Sequence, residues 1–121
     1  LWAAKGSIPD VVLIENQISP IANRMKTIQG MISQFFISAS AFSEHDIDIK
    51  FVSSSNKLKD FTNEPTTYEQ RKKLGVEITR NRLCQNEGNK QLWLEEFDKH
   101  SKKDDLADSY LQGLWYIGHC V

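Results

Sequence analysis

Four consecutive apolar residues, Val11 to Ile14, three of them β-branched, stand between Pro9 and the polar trio Glu15, Asn16 and Gln17. So short and uninterrupted a run predicts a strand buried on both faces, the condition of strands inside a parallel or mixed sheet. Such a strand commits the chain to an α/β fold. Glu15 then falls at its carboxyl end, where open α/β sheets collect ligand-binding and catalytic groups.

The next segment has helical spacing. Ser19 is a natural N-cap, Pro20 suits the first helical position, and Ile21, Met25, Ile28, Ile32, Phe35 and Ala39 recur at steps of three and four. This spacing predicts an amphipathic helix whose stripe packs in the core or forms a seam with another helix; Arg24 and Lys26 lie off the stripe. Ile47, Ile49 and Phe51 alternate with polar residues and predict a second strand with one buried face. A turn-rich basic loop leads to Thr66 or Thr67, either able to cap a charged helix from Tyr68 to Cys84, whose thin apolar stripe runs through Leu74, Val76, Ile78 and Leu83. Gly88 breaks the pattern, Leu92, Trp93 and Phe97 mark a short amphipathic piece, and a last helix is expected over 104–118.

The 121 residues suffice for one modest core and predict one domain spanning 1–121. The opening residue is Leu1 and "LWAAKG" reads as a helix end running into a strand, so an N-terminally truncated copy of a longer fold is expected. No leader peptide is visible and no apolar run reaches the ~18 residues of a membrane span, which predicts a soluble chain. Cys84 and Cys120 match no metal or redox spacing and fit unpaired thiols in a reducing, intracellular setting. Fifteen basic and 16 acidic residues leave a net charge of −1, so bulk charge announces no nucleic-acid partner. Distribution says more: eight Lys or Arg against four acids from Lys50 to Arg82 give a segment of +4, balanced by the acidic run from Glu95 to Asp108.

The last helix raises a chemical question. Leu106, Tyr110, Leu114 and Ile117 form the expected packed stripe, while Asp105, Asp108 and Gln112 share another face. Carboxylates at i and i+3 are close enough to hold one cation, and a hard ion such as Mg2+ or Mn2+ takes a few protein oxygens with water and phosphate completing its shell. Aspartates in a first helical turn also cap free N–H groups and meet the positive end of the dipole, which accounts for Asp104 and competes for the Asp105 and Asp108 pair. Asp108 lies beyond the capping positions. With Glu15 as a further carboxylate source and basic surface nearby, the set suits two-metal phosphodiester hydrolysis.

The blocks "PDVVLIENQ", "NRMKTIQGMISQFF", "KFVSSSNKLK", "YEQRKKLGVEIT" and "KKDDLADSYLQGLWY", taken in order, resemble the RuvC-like Holliday junction resolvases, especially the poxvirus and large-DNA-virus type related to the fungal mitochondrial enzymes. The resemblance implies a ribonuclease-H-like mixed sheet with flanking helices, a homodimer, and four carboxylates holding Mg2+, with Mn2+ able to replace it. Glu15 matches the strand-end glutamate, Asp105 and Asp108 match the C-terminal aspartate pair, and Asp104 is then a neighbour. The family's first aspartate and first three strands have no counterpart before Glu15, in keeping with truncation.

The resemblance makes four-way junction DNA the expected partner and a site of viral or organellar DNA processing the expected location. Lys57, Lys59, Arg71, Lys72, Lys73, Arg80 and Arg82, with Arg24 and Lys26, are candidate phosphate contacts, each adding about one released counterion to the salt dependence of binding. Asn16 and Gln17 are candidate hydrogen-bonding groups at the junction centre. His100 and His119 lack a hydroxyl or thiol partner at a recognisable spacing and take no catalytic role. Two other readings remain open: a non-catalytic junction-binding or assembly module, and another nuclease or transposase of the same superfold.

Overall fold

The computed structural model describes residues 7–17, 20 and 22–121. Strand β1 (Val11–Glu15), helix α1 (Asn23–Ser43) and strand β2 (Asp48–Val52) are followed by a single 3-10 turn at Asn56–Leu58 and by helices α2 (Tyr68–Gln85), α3 (Lys90–Lys99) and α4 (Lys103–Cys120). The chain divides into two compact units between Ser54 and Ser55.

In the first unit β1 and β2 pair in parallel, with Val11 opposite Asp48 and Glu15 opposite Val52. The ladder extends past both ends: Asp48 donates its N–H to the Asp10 carbonyl (2.9 Å) and Asn16 donates to that of Val52 (2.8 Å). Ile14, Ile47 and Val52 are buried. Helix α1 opens at Asn23, three residues later than expected from Pro20, which lies in a turn; Ser19 and Ile21 fall outside the described residues. It closes at Glu44, whose φ of 54° reverses the chain into the left-handed region. Ser40 fixes that reversal, its hydroxyl donating to the His45 carbonyl (2.8 Å) and accepting from the Ile47 N–H (3.1 Å).

The expected ribonuclease-H-like mixed sheet is not what this sequence forms. Both anticipated strands are present, but their burial differs from the expectation, since of Val11 to Ile14 only Ile14 is buried and Phe51 is exposed beside a buried Val52; among the described residues no third strand joins them, and everything after the 3-10 turn is helical apart from connecting loops. The physical reason lies in patterning, since beyond Val52 apolar residues recur at helical rather than alternating spacing.

In the second unit α2 packs on both α3 and α4. Leu58, Phe97, Ala107 and Leu111 form its buried core, with Thr79, Gln112 and Asn56 buried beside them. Gly75 is buried on α2 facing α4, where an added Cβ would meet Leu111 Cδ1 at an ordinary contact distance of 3.6 Å. Thr67 caps α2 in a reciprocal box: its hydroxyl accepts from the Gln70 N–H (3.2 Å), while the Thr67 N–H donates to Gln70 Oε1 (2.9 Å). Arg80 on α2 pairs with Asp98 on α3. Leu92 and Trp93 are exposed, so of the three residues marking α3 only Phe97 enters the core.

Helix α4 buries a different face from the one its large apolar residues suggest. Ala107, Leu111 and Gln112 face inward, whereas Tyr110 and Ile117 are exposed. The side of the helix carrying Asp104 and Asp108 is turned toward α2 and the 3-10 turn, for electrostatic reasons.

Candidate functional site

The candidate residues divide between the two units. In the first, Glu15 ends β1 and is half-buried, and Asn16 is exposed just beyond it. Gln17 is tied down, its backbone N–H donating to Gln29 Oε1 on α1 (2.8 Å) and its side-chain amide to the Glu15 carbonyl (3.3 Å). Arg24 and Lys26 are exposed in the opening turn of α1.

In the second unit the basic and acidic candidates meet. Lys57, on the 3-10 turn, donates to Asp108 Oδ2 at 2.9 Å, with the lysine side chain only 18% exposed. Lys72, on α2, reaches Asp104 Oδ2 at 2.8 Å and lies 4.8 Å above the Tyr68 ring. The hydrogen bond from Lys72 holds the Asp104 carboxyl below its ordinary range, and the same bond holds the Lys72 ammonium above its own. Asp104 and Asp108 are four residues apart and therefore share a face, so two lysines from different elements clamp one side of α4 near its start. Asp105 points away from this face and is exposed.

Of the remaining basic candidates, Lys59 donates to Asn56 Oδ1 (2.8 Å) and sits 5.7 Å over the Trp115 ring. Arg82 covers Phe61 at 5.8 Å. Arg71 and Lys73 are each exposed on α2 and, two residues apart, point to different faces. Near the end of α4, His119 stacks on Trp115 with ring centroids 4.8 Å apart and approaches Asp60 at 3.3 Å.

Chemically, the second unit offers a compensated acid–base seam rather than an assembled metal centre. Among the described residues no group of three His, Cys, Asp or Glu side chains is placed to hold an ion. Sequence reasoning singled out Asp108 as unexplained by capping but missed its partner; the available signal was the four-residue interval to Asp104, which aligns two carboxylates better than the three-residue interval to Asp105.

Comparison with known proteins adds a viral relative and no family. No family model matches the chain, and no solved structure matches it. It is similar to "Uncharacterized protein L451" of Acanthamoeba polyphaga mimivirus, 35% identical over 123 residues that cover 88% of this chain. The match takes in 28% of that protein, so the chain spans less than a third of the relative's length. Among the described residues no helix is long and apolar enough to cross a membrane.

Proposed function

We propose that this chain is part of a structure-selective endonuclease that resolves four-way DNA junctions. The observation that carries the reading is Glu15, a carboxylate at the carboxyl end of a parallel strand pair, the position where α/β units gather reactive groups. The resemblance of the ordered sequence blocks to the resolvases and a relative encoded by a virus support it. Paired nicks across a junction need two copies of the active chain, so the working form is a homodimer acting where viral DNA is processed.

In this reading Glu15, Asp105 and Asp108 are the catalytic and Mg2+-binding candidates. Within the second unit Asp105 and Asp108 supply two hard oxygen donors one turn apart, but Lys57 already neutralises Asp108, and two carboxylates fall short of a metal centre. The same ion pairs redistribute the expected phosphate contacts. Lys57 and Lys72 direct their charge to α4, leaving Arg71 and Lys73, each exposed on α2 but on different faces, as candidates to meet a DNA backbone.

The test is a nicking assay of the full chain on a synthetic four-way junction with linear duplex as control, across Mg2+ and Mn2+ concentrations. Paired symmetric nicks that vanish in Glu15→Gln and Asp105→Asn support the enzyme. A second reading, a junction-binding module without chemistry, is favoured by the compensated state of Asp104 and Asp108. Selective binding with no nicks at any metal concentration supports it, and absence of both activities from a folded chain sinks the two together.

A further inference from the structure

Within residues 55–121 a short strap follows one side of α4. Lys57 donates to Asp108 Oδ2 at 2.9 Å, Lys59 sits 5.7 Å over the Trp115 ring, and Asp60 meets His119 Nε2 at 3.3 Å. On α4 these partners fall at steps of seven and four, which keeps them on one side of the helix. The strap thus accompanies α4 for roughly 16 Å, from the turn that holds Asp108 to the last turn. Phe61 carries it on to α2, where Arg82 covers the ring. Its middle is seated by burial, since Leu58 enters the core and Asn56, also buried, accepts from Lys59 Nζ. Its flanks are held by charge. Ion pairs and cation–ring contacts at partly exposed positions are individually weak, so the flanks stay down only while these ties act together.

We infer that residues 56–61 are an autoinhibitory strap: Lys57 keeps Asp108 compensated, and a chain of phosphates that draws Lys57 away lifts the flanks of the strap from α4 together. Asp108 is a carboxylate on which the proposed chemistry depends, and its side chain remains 45% exposed. Access to it is therefore open, and what the strap withholds is its charge. The trigger follows from the chemistry of the ties. Lys57 and Lys59 belong to the basic stretch between Lys50 and Arg82, and each is held by a single carboxylate or ring, for which several linked phosphates compete at high local concentration. The inference rests on the nuclease reading only for what the released Asp108 goes on to do; the opening itself is measured without DNA and without cutting.

Trp115 reports the strap, because His119 stacks on its ring and Lys59 lies over it. The experiment uses the full chain with Trp2→Phe and Trp93→Phe, which leaves Trp115 as its one tryptophan, and reads acrylamide quenching of the fluorescence. Lys57→Met is expected to raise the quenching constant about two-fold, although Asp108 lies seven residues, roughly 10 Å, back along α4. Asp108→Asn breaks the same pair from the other side and should match it; should far-UV circular dichroism show that one variant has lost its helices, the other decides. Lys72→Met, which breaks the pair to Asp104 off the strap, is expected to leave quenching unchanged. Inorganic tripolyphosphate should reproduce the rise in the parent chain and add nothing in Lys57→Met, with sodium chloride of equal ionic strength giving less. Unchanged quenching in the folded pair variants, an equal rise in Lys72→Met, no response to tripolyphosphate, or an equal response to chloride overturns the inference, whatever the nicking assay shows.

Discussion

Asp108 is the residue whose meaning changes most between sequence and structure. Beyond the capping positions and among apolar neighbours it reads as a ligand, yet it meets Lys57 across 2.9 Å. The two readings separate in a double-mutant cycle. If the pair fastens the 3-10 turn to α4, Asp108→Asn and Lys57→Met couple by about 1 kcal/mol in urea unfolding, at the upper end for partly exposed ion pairs. Loss of nicking by Asp108→Asn with no such coupling would mark the carboxylate as a working group instead. Asp104 gives a prediction in pH. Its carboxyl is held below the ordinary value of 3.8 by Lys72, so its contribution to stability is full above that value and disappears as pH falls through the lowered one. The raised Lys72 ammonium keeps its side of the pair intact through neutral and mildly basic pH, since its contribution is lost only as pH climbs beyond its ordinary value of 10.5. The melting-temperature advantage of the native chain over Asp104→Asn should therefore hold at neutral pH and vanish in strong acid; an advantage independent of pH would exclude the ion pair as its source.

The helices show which signals in the sequence were sufficient. Thr67 was one of two possible caps for α2, and the structure selects it through the reciprocal bonds with Gln70. Thr67→Ala should cost about 1 kcal/mol in urea unfolding and Thr67→Asn much less; equal losses from both would show that packing, not capping, sets the start of α2. Both strands were legible because continuous and alternating apolar runs have few other uses, and the break at Gly88 was legible because polar residues with a glycine interrupt any helix. The faces of α1 and α4 were not legible. In α1 the periodic stripe was visible, but which side meets the sheet is decided by Gln29 and Ser40, whose partners lie 12 and as few as five residues away. In α4 the large apolar residues outlined one face while small Ala107, Leu111 and two lysines from distant elements selected another. The missing sheet has a related cause: a resemblance in ordered blocks carries an expected fold with it, whereas periodicity after Val52 is helical from the start.

The two compact units differ in how they are held, and this difference predicts how the chain unfolds. Residues 55–121 close a core around Leu58, Phe97, Ala107 and Leu111, reinforced by ion pairs and a capped helix. Leu111→Ala should remove about 3 kcal/mol from that transition, since the leucine is fully buried against Gly75. Residues 1–54 bury Ile14, Ile47 and Val52 in a sheet of two described strands, beneath a helix with no buried residue. A two-stranded sheet needs a packed apolar partner to be stable, and among the described residues Met25, Ile28, Ile32 and Phe35 of α1 are exposed. The homodimer of the proposed function offers α1 such a partner. If the cover is a second copy, association binds the folded form only, and the transition of 1–54 rises with chain concentration while that of 55–121 stays fixed. Calorimetry over a range of chain concentrations reads this directly, with Leu111→Ala identifying which transition belongs to 55–121. Two transitions that both ignore concentration would mean that the first unit is stable without a partner, and that the apolar row on α1 serves some purpose other than holding two chains together.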